Sequence, residues 1–368
     1  MQVVFFLFLF LATLLGSHAV VFFSVVHFFS ITSIVQKGVI IYSLIFLAIS
    51  FFLASLIAHF FENIFTRAYY FFSGLWIGLL TNIILACIVL WIISLTSQYI
   101  NFEMNKGLFG TIFFGVALLI SIYGVWNALH PVVKHVTVHI PGIPDEWKGK
   151  TIVQISDVHL GHVYQAKFLK NIVEKVNELH PRMVVITGDL FDGMDGRLDS
   201  LVQPFNAMNA EKGVFFVTGN HETYLGVETA LSALKDTNVV VMKNEVRDID
   251  GLKLIGINYP KRGEKKNVVA ILTSLKDQFF GKPSVLLYHA PENIDAMKQS
   301  GVNLMLSGHT HQGQQFPFQF ITHLVHKGYD YGLYSIGDFT LYTTSGVGTW
   351  GPTMRIGTQS EIVAITLE

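Results

Sequence analysis

Cysteine, charge and any basic excess are all scarce in this 368-residue sequence. Its single cysteine, Cys87, lies in an apolar run, which excludes a disulfide framework or a cysteine zinc cluster within the chain. Charged residues make up 14%, against roughly 25% in an ordinary soluble domain. In the first 130 positions the only charged residues are Lys37, Glu62, Arg67, Glu103 and Lys106. The formal net charge of −1 provides no basic field to gather nucleic acid, so no nucleic-acid partner is indicated. Apolar surface, by contrast, is abundant: 51% of residues are hydrophobic and 13% aromatic. The uneven charge divides the chain into one part suited to lipid and another suited to water.

A membrane-spanning helix needs about 20 mostly apolar residues. Residues 3–29, 38–60, 70–96 and 108–129 meet that requirement and predict a four-helix transmembrane region over 1–130. No Lys or Arg precedes the first run, and it continues past Gly16-Ser17-His18-Ala19, which argues against a cleaved secretory signal. Four spans bring both ends to one side. Arg67, Lys134, Lys148 and Lys150 then outnumber Lys37 and Lys106 on the other side, which predicts a cytoplasmic C-terminal part in a multi-pass membrane protein. His18, His27 and His59, within or beside the spans, are read as neutral groups that hydrogen-bond neighbouring helices. Tyr69, Tyr70, Trp76, Trp91 and Trp126 are read as lipid contacts and interfacial anchors.

Beyond these runs the pattern changes. Pro131, Pro141, Gly142 and Pro144 mark a connector over 131–148, followed by short apolar segments alternating with amphipathic ones. Strands are predicted at 151–156, 183–187, 214–218, 239–242, 285–288 and 304–307, each nearly all apolar, as strands buried on both faces should be. Later strands are expected at 333–336, 340–343 and 362–366. Helical periodicity is clearest over 165–179, where Phe168, Leu169, Ile172, Val173 and Val176 share a face. Residues 245–249 and 252–255, joined through Asp250-Gly251, form a predicted hairpin. The whole predicts an α-helical transmembrane region followed by an α/β domain at 149–368.

Metal-ligand residue types follow one buried strand after another. The first is followed by Ser156-Asp157-Val158-His159, the second by Gly188-Asp189-Leu190-Phe191-Asp192, and the third by Gly219-Asn220-His221-Glu222. Later strands lead into Tyr288-His289 and Ser307-Gly308-His309-Thr310-His311. Asp157 with His159, and His309 with His311, are i, i+2 pairs that point the same way if the chain is extended. Each fragment alone is weak: Asn220 and His221 suit a helix cap, and a lone His289 suits a hydrogen-bonded core position. The ordered set is stronger. It offers aspartates, an asparagine oxygen and imidazoles, a donor set for Mn, Fe, Zn or similar divalent ions. Seven ligands are too many for one such ion and suit two ions about 3.5–4 Å apart, as in two-metal phosphoester hydrolysis.

This series, Asp157-x-His159, Gly188-Asp189-x-x-Asp192, Gly219-Asn220-His221-Glu222, His289 and Gly308-His309-x-His311, resembles the calcineurin-like metallophosphoesterase family over residues 151–368. It is most similar to the branch of membrane-anchored bacterial phosphoesterases, whose Ser-Gly-His-Thr-His-Gly-Gly-Gln stretch appears as Ser307 to Gln314 with Gln312 in place of a glycine. Arg182-Met183 also stands where an acidic and an apolar residue are common. The resemblance implies a four-layer α/β/β/α sandwich in a protein of the bacterial cell membrane. It implies that Asp157, His159 and His311 bind one metal, that Asn220, His289 and His309 bind a second, and that Asp189 bridges them. It further implies that His221 stabilises the scissile phosphate or helps to protonate the leaving oxygen, and that Asp192 orients a ligand.

The substrate is less legible. Gln314-Gln315-Phe316-Pro317-Phe318-Gln319-Phe320-Ile321 follows the last ligands and suits an acyl-chain groove, a dip into the bilayer or a loop packed on the sandwich. Arg355 suits either a phosphate contact or a surface salt bridge. The leading expectation is a membrane-tethered hydrolase of a lipid-linked phosphodiester or pyrophosphate, working through attack by a metal-bridging hydroxide. UDP-diacylglucosamine-type lipids are among the substrates that similar enzymes cleave. The alternatives are a phosphodiesterase for soluble nucleotides or general phosphoesters with the helices as a simple anchor, and a non-catalytic metal-bound sensor or scaffold.

Overall fold

In lipid, backbone polar groups must be satisfied within their own segment, so apolar runs of this length fold as helices. The computed structural model describes residues 2–193, 198–261, 263–264 and 267–368. It contains α1 (Gln2–Phe28), α2 (Ile34–Phe60), α3 (Ile64–Tyr99) and α4 (Lys106–Leu129), all long and apolar enough to cross a membrane. Asn63 caps α3 by accepting from the backbone N–H groups of Phe65 and Thr66, while the Thr66 hydroxyl accepts from the Asn63 N–H. Small polar side chains tie the helices together. Ser50 meets Ser73 at 2.7 Å, Asn82 donates to Ser121 at 2.7 Å, and the Trp91 indole donates to Ser24 at 2.9 Å. His18 accepts from the Trp76 indole at 3.1 Å through Nε2, so its Nδ1 carries the proton donated to the Leu14 carbonyl at 2.8 Å. Both ring nitrogens are thus used in structure.

The chain forms two compact units, and the helical one takes in four residues from far along the sequence, Gly351–Met354. Gly78 of α3 makes room for them: a Cβ there would lie 3.0 Å from the Met354 methyl and 3.3 Å from Pro352. Asn82 also reaches the Met354 sulfur at 3.7 Å.

The second unit, Asn127–Trp350 with Arg355–Glu368, is a mixed α/β domain built on two six-stranded sheets. Its strands in chain order are β1 (Val132–Val138), β2 (Thr151–Ile155), β3 (Met183–Thr187), β4 (Val214–Val217), β5 (Val239–Val241), β6 (Glu245–Ile249), β7 (Leu252–Gly256), β8 (Ser284–Leu287), β9 (Leu304–Ser307), β10 (Gly332–Ile336), β11 (Phe339–Thr343) and β12 (Glu361–Leu367). One sheet runs β1-β12-β2-β3-β4-β5 and the other β10-β11-β9-β8-β7-β6. The helices relevant to the site and its support are α5 (Ala166–Glu178), α6 (Asn220–Leu225), α7 (Val268–Ser274), α8 (Ile294–Ser300) and α9 (Phe318–Val325).

Successive residues of a strand face opposite sides, and both sides here are apolar. Ile152, Val185 and Val217 of the first sheet pack with Leu254, Val285 and Leu306 of the second. On the outer face of the first sheet, Val153, Ile155, Val184 and Ile186 meet Leu169, Ile172, Val173 and Val176 of α5. On the outer face of the second, Ile255, Leu286 and Met305 meet Leu272 of α7 and Met297 of α8. The layers are α/β/β/α, as the resemblance implied. The Asp250-Gly251 hairpin also forms, with β6 and β7 antiparallel from Glu245↔Gly256 to Ile249↔Leu252.

The expected connector at 131–148 needs correction. Val132–Val138 forms β1, which pairs in parallel with β12 from Val132↔Glu361 to Val138↔Leu367. Of its seven residues only Val138 is buried, so the strand carries no clear alternation and is held chiefly by its ladder to a distant partner. The following Pro-rich stretch is core rather than linker. Ile140, Ile143 and Trp147 are buried between the sheets, and the Trp147 indole donates to the Ile249 carbonyl at 2.9 Å.

Candidate metal centre

Five strand ends, β2, β3 and β4 from one sheet and β8 and β9 from the other, deliver the polar residues to one place. His159 and His311 bring their Nε2 atoms to 3.1 Å, and His311 Nε2 lies 3.5 Å from Asp157 Oδ1. A second group gathers around His289 Nε2, which is 3.0 Å from Asp189 Oδ2, 3.2 Å from Asn220 Oδ1 and 3.2 Å from His309 Nδ1. Three overlapping sets each keep their ligand atoms within 4.8 Å: Asp157, His159 and His311; His159, Asp189 and His221; Asp189, His289 and His309. Asp189 is common to the last two. All seven expected ligands are therefore brought together, with Asp189 in the middle.

The backbone is unusual here. Asp157 (φ 54°), His159 (53°), Asp189 (49°), His309 (75°) and His311 (48°) all occupy the left-handed region, which is uncommon for residues with a Cβ. Such strain persists where surrounding structure enforces it, and it clusters at functional sites. Gly188, at φ 91°, lets the Asp189 loop pass beside His289, since a Cβ there would come within 2.5 Å of the imidazole Nδ1.

Glu222, quoted within a motif but given no role, is part of that enforcement. Its buried carboxyl accepts from the N–H groups of Asp189 (3.0 Å), Gly219 (2.6 Å) and Phe191 (3.0 Å), pinning the loops after β3 and β4 to each other. The signal for it is the capping-box spacing from Gly219. Across the site, the His309 N–H donates to both Asp157 carboxyl oxygens at 3.1 Å.

His221 donates from Nδ1–H to the Asp192 main-chain carbonyl at 2.8 Å, which turns its Nε2 toward His159 and Asp189. Asp192, expected to orient a ligand, places its carboxyl 3.8 Å from His159 Nδ1, beyond hydrogen-bond reach, while its main-chain carbonyl is the group that holds His221.

Burial pushes the Asp157 carboxyl up to about 6, and burial together with the negative Asp189 pushes Asp192 up to about 8. Burial acts upward on Asp189 too, but His289, His221 and His159 hold it far below the usual carboxylate range. Burial acts downward on His289, yet Asp189 overrides it and raises the imidazole to about 9. Burial drives His159 and His311 well below their ordinary value, so both are neutral imidazoles, the form that ligates a metal. Among the described residues His159 Nδ1 has no hydrogen-bond partner, and its Nε2 meets that of His311. Such a donor set suits a divalent cation.

Arg355 makes neither of the contacts expected of it. It is fully buried, and burial lowers its guanidinium only to about 10, so it keeps its charge at neutral pH. It donates to the carbonyls of His311 (3.2 Å), Ser345 (2.5 Å), Gly346 (3.3 Å) and Gly348 (2.7 Å), and lies 3.3 Å from His311 Nδ1. Carbonyls of its own loop fold around it together with that of His311. Arg355→Met is expected to cost about 3 kcal/mol of stability, because a charged donor and several buried carbonyls lose their partners. It should also weaken metal binding by the Asp157, His159 and His311 set. Thermal unfolding of the full chain and metal competition against a chelator check both effects.

The aromatic segment after His311 does not pack as a loop. Residues Phe318–Val325 form α9, and none of its residues is buried. Phe318, Phe320, Ile321, Leu324 and Val325 are 43 to 78% exposed.

Carboxylates, an asparagine and imidazoles raised on strand ends between two sheets give a donor set suited to divalent metal ions. The calcineurin-like phosphoesterase profile matches residues 150–313. An uncharacterized metallophosphoesterase of Campylobacter jejuni is 37% identical over 259 residues, 68% of each chain. A transmembrane protein with metallophosphoesterase domain from Danio rerio is 34% identical over 69% of this chain and 61% of its own. An uncharacterized metallophosphoesterase of Bacillus subtilis is 30% identical over 72% of this chain and 96% of its own. The chain belongs to the calcineurin-like metallophosphoesterase family.

Proposed function

We propose that this protein is a membrane-tethered, dinuclear-metal phosphoester hydrolase that acts on a lipid-linked phosphodiester or pyrophosphate. Asp157, His159 and His311 hold one ion, Asn220, His289 and His309 hold the other, and Asp189 serves both. When bound, two divalent ions lower the pKa of a water and neutralise phosphate oxygens during in-line attack. His221, oriented by the Asp192 carbonyl, stands beside the phosphate and supplies a proton to the leaving oxygen. Glu222 and Arg355 keep the ligand loops in place, so the geometry need not be assembled at each turnover.

The lipid reading is carried by α9. It is an apolar helix left in water immediately after the last ligand turn, in a chain that also has four membrane-length helices. Exposed patches of this kind are characteristic of lipid or partner contact. The balance of Lys and Arg further supports a cytoplasmic position for the phosphoesterase unit.

Withdrawing an acyl chain into water costs about 0.8 kcal/mol per CH₂, so contact with lipid matters far more for a lipid substrate than for a soluble one. Replacing Phe320, Ile321 and Leu324 with Ser is expected to depress turnover of a lipid phosphodiester by about tenfold or more while sparing a small soluble diester. The comparison uses the full chain in lipid nanodiscs. Equal effects on both substrates would favour a phosphodiesterase for soluble nucleotides or general phosphoesters, with the helices as a simple anchor.

A further inference from the structure

The two flanks of the metal centre differ in chemistry. On one flank, His309 faces a cavity of about 580 Å³, lined also by Glu292, Asn293, Val325, His326 and Lys327, where Val325 is the last residue of the apolar α9. On the other flank, the His221 ring meets two aromatic side chains edge-on. Tyr224 follows it by three residues on α6 and so shares its helix face, with ring centroids 5.2 Å apart and planes at 62°. Trp350, on the loop after β11, is 6.1 Å from His221 at 74°. Both stay largely in water, Tyr224 at 64% exposure and Trp350 at 60%.

Aromatic side chains normally bury most of their surface, so two left in water beside a reacting group have surface available for a ligand. Their supports are firm. Gln314 accepts from the Trp350 N–H at 3.0 Å and donates to its carbonyl at 3.2 Å, which clamps the Trp350 backbone to the loop after His311. The start of α6 is held by Glu222 through the Gly219 N–H. A ring carried on a clamped backbone loses less freedom on binding than one on a free loop.

We propose that Tyr224 and Trp350 form a platform for the leaving group, and that this group carries a planar ring such as a nucleobase. The remainder of the substrate lies on the His309 side, toward the end of α9. In the hydrolysis, the oxygen of one water bonds to phosphorus and the P–O bond to the ring-bearing group breaks. The leaving oxygen takes a proton from His221, and the proton given up by the attacking water is made good on His221 through solvent. The assignment rests on the hydrolase reading of the centre and is independent of a lipid substrate.

The test is equilibrium binding to the full chain in detergent micelles loaded with Mn²⁺, with adenosine 5′-monophosphate and ribose 5-phosphate as probes. The two share a phosphate and a sugar and differ by the base. The wild-type chain is expected to prefer the nucleotide by about tenfold or more, the scale of one base stacked on an aromatic ring. Trp350→Ala and Tyr224→Ala should each bring the preference down severalfold, and Trp350→Phe should retain most of it. If ribose 5-phosphate binds and the base adds nothing, or if the alanine variants keep the full preference, the platform is wrong and the phosphate site stands. If neither probe binds, the hydrolase reading falls together with the platform.

Discussion

Asp189→Ala is expected to abolish phosphoester turnover, by at least about 10³-fold, and to lower metal content at both positions. The carboxylate is buried at the centre of the site, where Oδ2 lies 3.0 Å from His289 Nε2 and Oδ1 accepts from the His221 N–H at 2.8 Å. Its ligand atoms fall within reach of both His159 and His309, so no other residue substitutes for it. Asp189→Asn keeps the shape and an oxygen acceptor while removing the charge, and should lose turnover to a similar degree. Metal analysis of the purified full chain, together with circular dichroism to confirm folding, separates loss of ligation from loss of structure. A variant that retains near-normal turnover and two ions per chain would remove Asp189 from its bridging role.

His221→Ala should reduce kcat by roughly 10² to 10⁴, the range of a general acid–base contribution, with metal content nearly unchanged. The imidazole is aimed by one hydrogen bond, from Nδ1–H to the Asp192 carbonyl, so its Nε2 points into the site without further support from that residue. Because Nε2 also lies with His159 and Asp189, loss of one metal equivalent in the variant would make His221 a ligand instead. A leaving group of low pKa needs little protonation. Turnover of such a substrate should therefore fall much less than turnover of an alkyl ester. An equal fall for both would leave electrostatic stabilisation as the role of His221.

The placement of these residues is legible in part. An extended chain would point Asp157 and His159 the same way, yet both sit in the left-handed region, as do Asp189, His309 and His311. The side chains converge because tight turns after the strands are wedged by Glu222, by Arg355 and by a neighbouring imidazole against Gly188. No local propensity announces such turns, since they are costly for any residue other than glycine. The strands themselves were readable, because strands buried on both faces leave continuous apolar runs such as Met183–Thr187 and Leu304–Ser307. Strand β1 was not readable, because an exposed edge strand has little apolar pattern and its partner, β12, lies more than 200 positions away.

Near neighbours and residue type are enough to specify four apolar helices of membrane-spanning length, the α/β alternation, the hairpin at Asp250-Gly251 and a donor set suited to divalent metal. How the donors are grouped, and what holds them, depends on the fold. It placed Asp189 between the two clusters, turned His221 through the Asp192 carbonyl, buried Arg355 among loop carbonyls, and seated Gly351–Met354 against Gly78 in the helical unit. Each of these depends on close packing between segments far apart in the chain. A residue's type constrains the partners it accepts, and the fold of the remaining chain determines which partners arrive.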